Sequence, residues 1–158
     1  MLTKQIQSGQ GWRVGWRWDR AQFCVLLAGE YWSFEVTRAE LYTINDLAQQ
    51  LAATMQVMEA ELADAEKIRC EAAADGVRLE VFGFPSAYNL QVQILTMRNC
   101  EGIWSEAIVP EVLAALQQAD IALKSHSCGS IHENKIGLTQ NPNCPHPPTP
   151  SPRAGEGE

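Results

Sequence analysis

The first 125 residues contain no histidine; His126, His132 and His146 are all C-terminal. That removes the commonest general base from most of the chain, and with it a Cys–His mechanism for Cys70 or Cys100. The five cysteines form no CxxC pair, so they read as reduced thiols of a cytoplasmic protein rather than a disulfide framework. Neither GxxxxGK[ST] nor GxGxxG occurs, which excludes the familiar phosphate-cradling loops. No apolar run approaches the length of a membrane span, and "MLTKQIQSGQGW" lacks the apolar core of a secretory signal. Basic residues are few as well, 12 against 19 acidic, for a net charge of -7. This argues against a surface that attracts nucleic acid everywhere, though not against a local basic patch.

What remains is an ordinary globular mixture, 46% hydrophobic and 20% charged, in a chain long enough to bury a core without staples. Composition changes near Leu123. The expected organisation is one domain over 1–123 and a disordered Pro/Gly-rich tail over 124–158, whose end resembles read-through of an intergenic repeat. His126, Cys128, His132, Cys144 and His146 fall in that tail with spacings that match no standard zinc site, so neither metal nor cofactor is expected.

The densest local signal is "GWRVGWRWDR". Period-two alternation puts Trp12, Val14, Trp16 and Trp18 on one face of a strand and Arg13, Gly15 and Arg17 on the other. Rings that stack on bases and cations that hold phosphates must share a surface to work together, and here they are on opposite faces. The strand is therefore first a core strand. "FCVLLAG" and "YWSFEV" follow as two further strands. Thr37-Arg38-Ala39-Glu40 is a capping box. Behind it Leu41, Ile44, Ala48, Leu51, Met55, Met58, Leu62 and Ala65 keep heptad spacing, which predicts one long helix ending before Asp75-Gly76. On that helix Lys67 would pair with Asp64 and Glu71. "VRLEVFGF" and "AYNLQVQIL" read as strands, the latter with Asn89, Gln91 and Gln93 on its outer face. "TMRNCEGIW" reads as a loop with Glu101-Gly102 in a turn, in which Gly102 takes a positive φ and Trp104 either plugs the edge of the core or serves as a partner hot spot. A short helix follows, opened by Pro110, with Val112, Leu113 and Leu116 inward. The expected fold is α+β, in the order β-β-β-α-β-β-α: a mainly antiparallel sheet of about five strands on one long helix.

"GWRVGW", "VTRAEL", "DAEKIRCE", "GFPSAYNLQVQI" and "CEGIWSEAIVP", in this order, resemble the cyanobacterial family called domain of unknown function 1818, over roughly residues 5 to 123. The resemblance implies a cystatin-like, Whirly-like α+β fold, with no assigned activity, cofactor or catalytic residues. Lys67 and Arg69 depart from the family pattern, which is more acidic or apolar there.

These readings predict a non-enzymatic binding or adaptor protein, homodimeric or bound to another protein through Met55, Met58, Leu62, Glu101 and Trp104. The alternative is a single-stranded nucleic-acid binder using Arg13, Arg17 and Arg20 with Asn89, Gln91 and Gln93.

Overall fold

The computed structural model describes residues 3–62 and 66–133, with side chains to His126. Among the described residues ten elements follow one another: β1 (Lys4–Gly9), β2 (Trp12–Arg17), β3 (Val25–Ala28), β4 (Ser33–Val36), α1 (Arg38–Glu61), β5 (Ile68–Ala74), β6 (Val77–Phe84), β7 (Ala87–Ile94), β8 (Cys100–Trp104) and α2 (Val109–Glu133). The strands form two antiparallel four-stranded sheets in sequential order, β1 to β4 and β5 to β8. The α+β class holds. The single five-stranded sheet on one helix is replaced by two sheets and two long helices.

Three elements account for the difference. In β1, "KQIQSG" carries one large apolar side chain, because it is an exposed edge strand paired only with β2. Along β5, "IRCEAAA" is rich in helix formers and was expected to continue α1. Instead α1 stops at Leu62, and Ile68, Cys70 and Ala72 turn inward on a strand paired along its length with β6. Tertiary pairing overrides local propensity there. Asp75 (φ 51°) and Gly76 (φ 78°) are the two left-handed residues of the β5–β6 hairpin turn, not a helix terminus. The third is β8, expected as a loop, which pairs from Cys100 to Trp104 with β7. Because Glu71 lies on β5, it cannot form the helical pair expected with Lys67.

The two halves repeat one plan, four strands and then a helix. Turn glycines Gly11 and Gly76 (φ 80° and 78°) precede Trp12-Arg13-Val14 and Val77-Arg78-Leu79. The buried stripe Leu41, Ile44, Ala48, Leu51 and Met55 of α1 corresponds at constant spacing to Val109, Val112, Leu116, Ala119 and Leu123 of α2. Each helix packs on the other half's sheet: α1 on β5 and β6, α2 chiefly on β2, with the two helices against each other. The seam from Leu41 to Met55 is thus taken up inside the chain, and Ala65 lies outside the described residues. α2 runs through Glu133, past the boundary expected at Leu123, and residues 134–158, with Cys144 and His146, lie outside the described residues.

The capping box is present as expected. The Glu40 amide donates to Thr37 Oγ1 (3.1 Å), and the Thr37 amide donates to Glu40 Oε2 (2.9 Å). Thr37→Ala should therefore lower stability by about 1 kcal/mol in urea denaturation. A loss below a few tenths of that would show that the helix start is held by packing alone.

Candidate nucleic-acid interface

Trp12, Val14 and Trp16 are buried in the common core and Trp18 is half-buried against it, as the period of two requires. Arg13 and Arg17 lie on the opposite, outer face, and Arg20 lies in the loop that follows. Arg17 donates from Nε and Nη2 to Asp19 (2.9 and 2.8 Å), and Arg20 donates to Glu35 (2.9 Å). These bonds raise the Arg17 pKa and lower that of Asp19, chiefly through the hydrogen bonds themselves. Asn89, Gln91 and Gln93 share the outer face of the other sheet. Gln93 accepts from Arg78 and donates to Glu101, while Asn89 Oδ1 accepts from the Glu106 amide. The candidate residues are thus divided between two sheets, and several already have partners.

The other candidate set is divided as well. Met55 and Trp104 are completely buried, Met58 and Leu62 are half-buried, and only Glu101 is exposed. Trp104 plugs the core, as one of its two readings had it, from a strand and not from a loop: its Nε1 donates to Ala28 O (3.0 Å), joining β8 to β3. Trp32 donates to Ile103 O (3.1 Å), and its ring lies over Gly102 and 5.0 Å from that of Trp104. Gly102 is in an extended strand without positive φ.

The outer face of β5, β6 and β7 brings together residues that the sequence reading passed over. With Val77, Leu79 and Val81 buried, the period of two sends Phe82 and Phe84 outward beside Arg78 and Glu80. That signal was available in "VRLEVFGF". Arg69, on β5 opposite Phe82, places its guanidinium 5.2 Å from the Phe82 ring centre, and Lys67 Nζ lies 5.3 Å from that of Phe84. Gly83 (φ 139°) lets the hairpin end close, since a Cβ there would come 2.8 Å from Ala87 O. A cleft of about 470 Å³ opens at this corner, lined by both cations, both rings, Asn89 and Glu106. One of the corner cations, Arg69, also belongs to an ion-pair cluster on the same face. Buried Glu80 accepts from Arg69 and lies 3.5 Å from Arg78, which also binds Glu71.

A family model described as Domain of unknown function (DUF1818) matches residues 7–119. The chain belongs to the DUF1818 family. This DUF1818 chain is also similar to a crystal structure, at 1.80 Å resolution, of a protein of unknown function from Prochlorococcus sp. NATL2A, described there as from the DUF155 family. The two are 21% identical with a TM-score of 0.69, over 72% of this chain and 97% of the other. That likeness concerns the fold. No curated protein matches the DUF1818 chain. Among the described residues no group of three or more His, Cys, Asp or Glu side chains is placed to hold a metal ion, and no helix is long and apolar enough to cross a membrane.

Proposed function

We propose that the protein is a non-enzymatic binder of single-stranded nucleic acid that takes its ligand at the Lys67–Arg69–Phe82–Phe84 corner. One observation carries this reading: cations and aromatic rings share a single surface here, as they do not on β2. A base entering the cleft meets two half-buried rings, with stacking contributing about 1–3 kcal/mol per base, while two cations meet the adjoining phosphates. The acidic balance of the whole chain confines the attraction to this corner. The order of four strands and a helix, twice, supports a Whirly-like description of the fold, although fold alone assigns no ligand.

The test is fluorescence anisotropy of the full chain with a labelled oligothymidylate across a salt series. Two neutralised phosphates predict a slope of log K on log salt of about −1.4, and Lys67→Ala should reduce its magnitude by about 0.7. Phe82→Ala should weaken binding by about 5- to 100-fold. Binding lost on Arg13→Ala and kept on Phe82→Ala would move the interface to β2, and no saturable binding at about 50 mM salt would refute the reading.

A second reading, a protein contact, has one observation of its own. Tyr31 is 91% exposed at the rim of a cleft of about 170 Å³ shared with Trp32, Ile103 and Ile108, and exposed Tyr beside apolar side chains is typical of partner hot spots. Tyr31→Ala should leave nucleic-acid binding intact and weaken only such a contact.

A further inference from the structure

Sheet registry sets Ile6, Gly15, Leu26 and Glu35 in one row across the outer face of the first sheet, and Lys4 beside Arg17 in the next. The missing side chain of Gly15 leaves a depression in the middle of that row. It has a volume of about 120 Å³, its walls include Ile6, Leu26 and Phe23, and Lys4, Arg17 and Glu35 lie at its rim. Gly15 has no positive φ, so its backbone does not require glycine. A glycine inside a strand costs about 0.5–1 kcal/mol relative to alanine, and one common reason to keep it is the close approach of another group. Ile6 supplies part of that approach, since a Cβ on Gly15 would come 3.1 Å from Ile6 Cγ1. Yet Ile6 remains 43% exposed and the depression stays open beside it. The corresponding place in the second sheet is filled by Glu80, clamped by Arg69 and Arg78. The same plan is thus closed by ion pairs in one half and left open and apolar in the other.

The rim has a sign. Asp19 is paired with Arg17, Glu35 with Arg20, and Glu40 with Arg98, whose guanidinium also stacks on Phe23 at 4.7 Å. Among the described residues Lys4 has no acidic partner, so the unmatched charge is its ammonium. Arg17 uses only Nε and Nη2 toward Asp19, which leaves further donors on a guanidinium that carries five. A space of this size suits one ring or one branched aliphatic group; an apolar cavity of about 150 Å³ takes benzene.

We propose that this depression binds a small apolar carboxylate, with its ring or branched chain against Gly15, Ile6 and Leu26 and its carboxylate at Lys4 and Arg17. The same chemistry is offered by a free acid or by the C-terminal residue of a peptide. The site is separate from the corner of the second sheet, and neither proposal depends on the other.

The experiment is a titration of the ¹⁵N-labelled full chain with benzoate, isovalerate, and an acetylated tetrapeptide ending in Leu as the free acid or the amide. Saturable shifts confined to the amides of Lys4, Ile6, Gly15 and Leu26 are expected. Benzamide and the amidated peptide should bind at least 5-fold more weakly. Gly15→Val should weaken benzoate at least 10-fold with the remaining spectrum dispersed as before, and Gly15→Ala serves if the valine variant does not fold. Lys4→Gln should weaken benzoate about 3-fold or more and leave binding of an oligothymidylate unchanged. Tighter binding of the tetrapeptide acid than of isovalerate identifies a chain terminus as the ligand, and the reverse order a free acid. Absence of saturable shifts at these amides overturns the proposal, as does equal binding by the folded Gly15 variants or equal binding of benzamide and benzoate.

Discussion

Trp104→Ala is expected to lose about 3–5 kcal/mol of folding stability, the usual cost of truncating a fully buried tryptophan. The side chain is wholly inaccessible, it fills the space between β8 and β3, and its indole N–H satisfies Ala28 O across that boundary. Removal leaves a cavity and takes away the hydrogen bond that ties β8 to β3. Since small domains have only about 5–15 kcal/mol in reserve, this loss consumes a large fraction of the total, so Trp104→Phe is the companion measurement. It keeps much of the volume, loses the hydrogen bond and should cost about 1–3 kcal/mol. Urea midpoints at constant m-value give both numbers. A loss under about 1 kcal/mol for the alanine variant would mean that the two sheets are not held together at this residue.

Gly102→Ala is the second large effect, and its origin differs. A Cβ at this position would come 2.4 Å from the Trp32 ring, so the indole has to leave, and its hydrogen bond to Ile103 O goes with it. Overpacking of this kind costs about 1–3 kcal/mol. The decisive comparison is a double-mutant cycle. In a Trp32→Ala background the clashing ring is gone, so Gly102→Ala should then cost only a few tenths of a kcal/mol. Equal costs in both backgrounds would show that the strand itself, and not Trp32, requires glycine there.

The legible parts of the sequence were those whose signals are local. Thr37 and Glu40 sit three residues apart and cap one helix, and Trp12, Val14 and Trp16 alternate on one strand; both readings hold. Gly102 shows the limit. From sequence it looks like a turn residue, but its reason is an indole arriving from a hairpin 70 residues earlier. β5 was hidden because Ala and Glu favour helix until β6 offers a ladder. β1 was hidden because an exposed edge strand needs almost no apolar residues. The candidate corner was half legible. Phe82 and Phe84 were outward by simple counting, whereas Lys67 and Arg69 could be placed beside them only once their segment was known to be a strand.

The exchange of helices between the two halves bears on how the chain acquires its shape. The sheet made first during synthesis cannot cover its apolar face until α2 has been made, and α1 has no sheet to lie on until β5 and β6 exist. Folding therefore waits for contacts between residues far apart in the chain, which slows it. Neither half is a unit that can open while the other stays shut. Hydrogen exchange should accordingly report one shared protection for Leu27 and Leu79, although they belong to different sheets.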